Sequence, residues 1–103
     1  MPKTLAELKA EIFSALSHSN RIRIIESLRD DMKCNCELLV ELKLEQSNLS
    51  RHLKALVDAG ILISWKEGVR VNYKIADNRI FKMLELAGAI GRAGIARKLP
   101  VLK

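Results

Sequence analysis

The first third of the chain spaces its apolar residues with the period of an α-helix. From Thr4 to Leu16 these residues recur three or four positions apart, so they share one face. Thr4 and Glu7 have the spacing of a capping box, in which each side chain bonds the backbone N–H of the other residue. After a polar group at 17–20, a second apolar run extends to about Arg29. We therefore predict two amphipathic helices, the second opened within that polar group.

Two further helical patterns follow, with only residues 43–46 between them. Asn35 is predicted to cap a third, short helix. A fourth helix is predicted to open at Gln46 or Ser47 and to end at Gly60. Two helices joined so closely, the second longer and carrying basic residues, match the helix-turn-helix arrangement.

Beyond the fourth helix the pattern changes to β-branched and alternating runs. Two such runs, 61–65 and 69–75, are separated by the Glu-Gly pair at 67–68, which predicts a β-hairpin. From about residue 77 the helical period returns and continues to near Pro100. The expected fold is mainly α with a small β-hairpin: a winged helix-turn-helix of about five helices and a two-stranded wing.

The length of 103 residues fits one domain, 1–103. Hydrophobic residues make up 49% of the chain but aromatic residues only 4%, so we expect a core of Leu, Ile, Val and Ala. A domain of this size buries a modest fraction of its surface. We therefore expect a homodimer that shares apolar helices.

The net charge of +6 calls for an anionic partner, with nucleic acid the first candidate and an anionic membrane the second. No apolar run approaches the ~20 residues that span a bilayer, and the first residues lack the apolar core of a signal peptide. We expect a cytoplasmic protein with no membrane partner. Its cysteines are then expected to be thiols at rest, because cytosolic reductants oppose structural disulfides.

The polar face of the fourth helix carries the candidate nucleic-acid contacts. At 3.6 residues per turn, Leu49, Leu53 and Leu56 face the core and the basic side chains fall on the other side. Hydroxyl, amide and cationic groups near a helix N-terminus bind phosphates and read base edges. Cations of the hairpin can reach phosphates or the minor groove, or can be ordinary surface charge. The candidate DNA-binding residues are Gln46, Ser47, Asn48, Ser50, Arg51, His52 and Lys54 on the helix, with Ser50 and His52 at the edges of its face, and Lys66 and Arg70 on the hairpin.

Four segments resemble, in order and spacing, the ArsR/SmtB-type family of arsenic- and zinc-responsive repressors. They read LSHSNRIRI at 16–24, MKCNCEL at 32–38, QSNLSRHL at 46–53, and VDAGIL at 57–62 followed by the hairpin. The resemblance covers about residues 10–76 and is specific in combination. It implies that the first and last helices pair two protomers, that the dimer binds a palindromic operator in double-stranded DNA, and that an inducer releases it. It also implies a structural, capping role for His18.

Cys34 and Cys36 are the candidate effector site, because the resemblance places them in the metal-binding box of the family. Both are predicted at the start of the third helix, where unpaired amides and the helix dipole favour thiolates. Residues two apart point to opposite sides of a regular helix, so we expect joint coordination of one ion to unwind the first turn. That distortion is expected to tilt the recognition helix away from DNA.

The identity of the inducer stays open. The arsenic-sensing pattern of the family usually completes three thiolates, and this chain has two cysteines. A third ligand could be Glu37, Asp31, a solvent thiol or a water, whereas a two-coordinate ion needs none. The pair could instead respond to oxidants. No His or Cys lies in 77–103, so a zinc-type site on the last helix is not expected.

The sequence contains no recognisable catalytic site. It has only two histidines, and it lacks both a glycine-rich phosphate loop and a Ser-His-Asp arrangement. We expect a protein that is not an enzyme and that has no obligatory cofactor, with a thiophilic metal or metalloid ion as its possible effector. Two alternatives remain: a winged-helix DNA-binding protein without a small effector, and a dithiol redox protein.

Overall fold

The chain builds a small α-helical core and attaches a hairpin to it. A computed structural model describes residues 2–99; the last helix ends at Lys98, close to the predicted end near Pro100, and Pro100 itself lies outside the described residues. The predicted winged helix-turn-helix is confirmed. Its elements are the helices α1 (Leu5–Ala15), α2 (Ser19–Ser27), α3 (Asn35–Leu42), α4 (Gln46–Asp58) and α5 (Arg79–Lys98), and the strands β1 (Lys33–Cys34), β2 (Leu62–Glu67) and β3 (Arg70–Ile75).

The helix α1 begins with the predicted capping box. Glu7 N donates to Thr4 Oγ1 at 3.1 Å, and Thr4 N donates to Glu7 Oε1 at 3.0 Å. The bonds from Thr4 hold the pKa of the Glu7 carboxyl below its usual value. Two of the N–H groups that a helix start leaves without a partner are thereby satisfied.

Helices α2, α3 and α4 pack around a core of aliphatic side chains, among which Ile24, Leu38 and Leu56 are fully buried. The turn from α3 to α4 is short because Lys43 adopts the left-handed conformation, with φ 55° and ψ 42°. Arg23 closes the end of α3 by donating to the Leu42 carbonyl oxygen at 3.0 Å. The core therefore fixes the angle between the two helices of the helix-turn-helix.

The start of α3 differs from the prediction that Asn35 caps it. Cys34 is the capping residue: its sulfur accepts from Glu37 N at 3.3 Å, and Glu37 Oε1 accepts from Cys34 N at 3.0 Å. Cys34 can cap because its backbone is extended, whereas Asn35 is already helical. The Asn35 side chain instead accepts from Val71 N at 3.4 Å.

The wing has three strands in the order β1-β3-β2, all antiparallel, where two strands were predicted. The added strand pairs Lys33 with Tyr73 and Cys34 with Asn72. Two residues are too few to show an alternating pattern, so the sequence carries no signal for this strand. The hairpin turn contains Gly68 at φ +63°, a conformation that favours glycine.

Candidate nucleic-acid interface and cysteine pair

The first two turns of α4 present a polar and cationic surface. Leu49, Leu53 and Leu56 are buried beneath it, as the helical period predicted. Arg51 donates to Asn48 Oδ1 at 2.6 Å, so an amide and a guanidinium lie side by side on this helix. Exposed or half-buried side chains make up the surface: Gln46, Ser47, Asn48, Ser50, Arg51 and Lys54.

These groups suit a DNA groove. A guanidinium can donate two parallel bonds to a guanine edge, and an amide can pair in the same way with adenine. Lys54 forms an ion pair with Asp58 at 3.1 Å, but both side chains are well exposed, so this weak pair can exchange for a phosphate. The structure thus brings six of the seven predicted α4 residues onto one accessible surface.

His52 is the exception, and its predicted place on the exposed face is wrong. The residue is 7% exposed, and its Nδ1 accepts from Arg21 Nε at 3.1 Å. Burial, followed by the nearby charges of Arg21, His18 and Arg51, lowers the pKa of His52. The neutral His52 ring accepts a hydrogen bond from Arg21 of α2, so it holds α4 against the core rather than facing solvent.

His18 lies at the capping position of α2, as expected, but its side chain makes no capping hydrogen bond within the described residues. Its ring packs near that of His52, with centroids 5.4 Å apart. The predicted capping role of the His18 side chain is therefore wrong, and its exposed ring lies beside that of His52 instead.

The two predicted wing cations have different surroundings. Lys66 is exposed on β2, opposite Val71. Arg70 opens β3, and its guanidinium lies 3.2 Å from Cys34 Sγ and 3.6 Å from Glu37 Oε1. Arg70 remains 57% exposed, so it borders both the wing surface and the cysteine pair.

Cys34 and Cys36 lie together at the start of α3, as predicted. Cys34 is fully buried, Cys36 is exposed, and their Cα atoms are 5.3 Å apart. The two sulfurs are joined as a disulfide, where free thiols were expected. The expectation that both sulfurs can act together only if the first helical turn unwinds is wrong, because Cys34 lies outside the helix on extended backbone.

No group of three or more His, Cys, Asp and Glu side chains within residues 2–99 is arranged to hold a metal ion. Glu37, one suggested third ligand, bonds Cys34 N and faces Arg70. Asp31, the other, accepts from Met32 N at 2.7 Å. Only after reduction of the disulfide would the pair offer two sulfurs to a ligand, and both suggested carboxylates already accept a backbone hydrogen bond.

The sequence patterns did not indicate that Asn72 adjoins this site, and they suggested Glu37 as a third ligand where it instead caps α3 together with Cys34. Asn72 is buried opposite Cys34 on β3. The only available signal was the Cys-x-x-Glu spacing at 34–37, which matches that of a capping box with sulfur in place of oxygen.

In residues 2–99, no helix is both long and apolar enough to cross a membrane.

Comparison with known proteins agrees with this architecture. Residues 18–64 match the family described as "Bacterial regulatory protein, arsR family". The uncharacterized HTH-type transcriptional regulator Rv0081 of Mycobacterium tuberculosis is 36% identical over 100 residues, which are 96% of this chain and 88% of that protein. The HTH-type transcriptional repressor SmtB of the same organism is 31% identical over 93 residues, covering 90% of this chain and 67% of SmtB.

A crystal structure of Rv0081 superposes with a TM-score of 0.79 at 34% identity and covers 95% of this chain and 99% of that one. The fold, the exposed face of α4 and the extent of these matches lead to one conclusion. The chain belongs to the ArsR family of bacterial regulatory proteins: it is a winged helix-turn-helix DNA-binding transcriptional regulator and not an enzyme.

Proposed function

We propose that this regulator is a homodimeric repressor that binds a palindromic operator and is released when a thiophilic metal or metalloid ion, or an oxidant, acts on Cys34 and Cys36. The proposal rests on where the two sulfurs lie relative to α4. The two sulfurs adjoin at the first turn of α3, and a short turn joins this helix to the exposed polar face of α4. A related protein, SmtB of M. tuberculosis, is named a transcriptional repressor.

The charge of the chain supports operator binding. With a net charge of +6, phosphate contacts supply affinity that does not depend on sequence. The neighbouring Asn48 and Arg51 then supply base-edge donors at the start of the recognition helix. Affinity and specificity are thus assigned to different side chains of the same surface.

Two exposed apolar faces support a dimer. On α1, Phe13 is 61% exposed and Leu5, about two turns earlier, is also exposed; on α5, Ile90 is 69% exposed. Leu86 is exposed one turn before Ile90 on the same side of α5, and Ile95 is exposed further along the helix. Large exposed apolar side chains on two helices mark a contact with another protein, and a second copy would supply matching helices. The two recognition helices would then meet half-sites about 10 bp, or a small multiple of this, apart.

The cysteine pair supports the effector step. Two adjoining sulfurs can hold a two-coordinate thiophilic ion, and two thiol protons leave for solvent as two metal–sulfur bonds form. Alternatively, hydrogen peroxide can take two electrons from the reduced dithiol, giving the disulfide and two waters. A coupling of about 1–3 kcal/mol between this site and the DNA surface would lower operator affinity about 5- to 150-fold.

The test is a titration of the purified, fully reduced protein on the DNA upstream of its own gene and on unrelated DNA of equal length. We expect the upstream DNA to bind at least roughly 10³-fold more tightly. Addition of Hg²⁺, arsenite or hydrogen peroxide should then weaken this binding. Specific binding that none of these agents changes would instead support a winged-helix protein without a small effector, and equal binding to both DNAs would refute operator recognition.

A further inference from the structure

Cys34 belongs to the wing sheet as well as to α3. Its strand β1 pairs with β3, so that Cys34 is opposite Asn72, and Asn72 is in turn opposite Trp65 on β2. Directly opposed residues of antiparallel strands share a face of the sheet. A row of three side chains therefore crosses the wing from the cysteine pair to β2.

Hydrogen bonds extend this row toward the tip of the wing. Asn72 Nδ2 donates to Glu67 Oε1 at 2.5 Å, and Trp65 Nε1 donates to the same oxygen at 3.1 Å. Glu67 is the last residue of β2 and precedes the turn at Gly68. Because Asn72 is buried, its amide depends on this bond and on the strand position that makes it possible.

Arg70 makes a second connection between strand β3 and the start of α3. Its guanidinium donates to Cys34 Sγ at 3.2 Å and lies 3.6 Å from Glu37 Oε1. The next residue, Val71, donates its backbone N–H to Asn35 Oδ1. Strand β3 is thus tied to the first turn of α3 by a side chain that contacts the sulfur itself.

We infer that Arg70 is a positioning residue that couples the cysteine pair to the wing, so that an ion held by Cys34 weakens DNA binding through the sheet rather than by tilting α4. This inference rests on the proposed function. Once the pair is reduced, a cation on Cys34 Sγ competes with Arg70 for the electron density of the sulfur and places positive charge against the guanidinium. Arg70 leaves the sulfur, β3 loses its side-chain contact with Cys34, and the wing no longer holds its cations in place.

The first test uses the DNA-free protein, since Trp65 is the single tryptophan of the chain. One equivalent of Hg²⁺ per protomer should shift the emission wavelength of Trp65 in the fully reduced wild type. The shift should be lost in Arg70→Gln, which removes the charged donor. It should persist in Lys66→Gln, a matched control that removes an exposed wing cation from β2. Circular dichroism checks that all three proteins are folded.

The second test measures operator affinity with and without Hg²⁺. Wild type and Lys66→Gln should lose affinity by the same factor, within the roughly 5- to 150-fold range of allosteric proteins, and Arg70→Gln by less than about 2-fold. The ratio of operator affinities without and with Hg²⁺ is diagnostic. If Arg70 only contacted a phosphate, its loss would lower the affinity by the same factor in both conditions. An Arg70→Gln protein released by the wild-type factor would overturn the coupling role and leave the proposed function standing. A wild type that Hg²⁺ does not release would overturn both.

Discussion

Arg51 is the side chain on which base recognition depends most directly. It is exposed on α4, and its guanidinium is oriented by the 2.6 Å bond to Asn48 Oδ1. A guanidinium held in this way loses less conformational freedom on binding a guanine edge.

Arg51→Ala should therefore weaken operator binding by about 1–3 kcal/mol and relax specificity at one base pair. Fluorescence anisotropy on operator variants measures both effects. Lys54→Ala is the matched control, since it removes a cation of the same face and should lower affinity for all sequences alike. If Arg51→Ala together with Asn48→Ala leaves affinity unchanged in a folded protein, the recognition surface lies elsewhere.

His52 links stability to pH. Its pKa is lowered from 6.5 by burial first and then by the charge of Arg21, so the folded chain favours the neutral ring. Below pH 6.5 the unfolded chain binds the proton more readily than the folded chain. The contribution of His52 is thus fully present above pH 6.5 and is lost as the pH falls through the lowered value.

We expect His52→Gln to flatten this part of the stability profile, because the glutamine oxygen can still accept from Arg21 but does not titrate. Urea unfolding between pH 7.5 and pH 4.5 measures the difference between the two proteins. Parallel profiles would show that His52 titrates alike in the folded and unfolded chains.

At the scale of the elements, the turn between α3 and α4 sets how the recognition helix is presented. Lys43 occupies the left-handed region there, which costs a non-glycine residue roughly 1–2 kcal/mol. Lys43→Gly should remove this cost and stabilise the protein by up to about 1 kcal/mol, after the greater flexibility of glycine in the unfolded chain is subtracted.

Thermal unfolding checks this prediction against Val40→Gly, an exposed site in the middle of α3. Glycine at position 40 should destabilise the protein, because glycine has a low helix propensity and a regular helical position has no left-handed strain for it to relieve. Equal destabilisation by both substitutions would contradict the left-handed turn.

The sequence was informative where a pattern repeats. Helical periodicity and capping chemistry predicted α1 with its Thr4 cap, and the alternating runs predicted the hairpin. The strand β1 has two residues, too few for any period, so the extended backbone at Cys34 and the capping role of its sulfur were missed.

Long-range pairing was equally inaccessible to sequence reasoning. His52 lies at the edge of its helical face, and its burial depends on Arg21, which is 31 residues away in sequence. Arg70 was predicted as a wing cation that contacts DNA or is ordinary surface charge, and its contact with Cys34 depends on how β3 pairs with β1. The candidate site was therefore predicted in its residue types but not in its connections.

At the scale of the whole molecule, the exposed apolar faces of α1 and α5 predict a dimer. Ile90→Glu places a charge on a residue that is 69% exposed in the single chain but buried in the proposed pair, and it should give a monomer. Sedimentation velocity at micromolar concentration measures whether each protein is a monomer or a dimer. Val40→Glu is the control, since Val40 is 77% exposed on α3 and should leave the dimer intact. A dimer that survives Ile90→Glu combined with Phe13→Glu would place the interface elsewhere.

If the cysteine pair controls operator binding, the double variant Cys34→Ser, Cys36→Ser should bind the operator without responding to the ion. Serine keeps an acceptor at the α3 cap but removes the thiophilic ligands. The decisive measurement is the operator affinity of reduced wild type and double variant, each with and without Hg²⁺. Both proteins should have similar affinity without the ion, and adding the ion should lower the affinity about 5- to 150-fold for wild type alone. Release of the double variant by the same factor would contradict control by the cysteine pair.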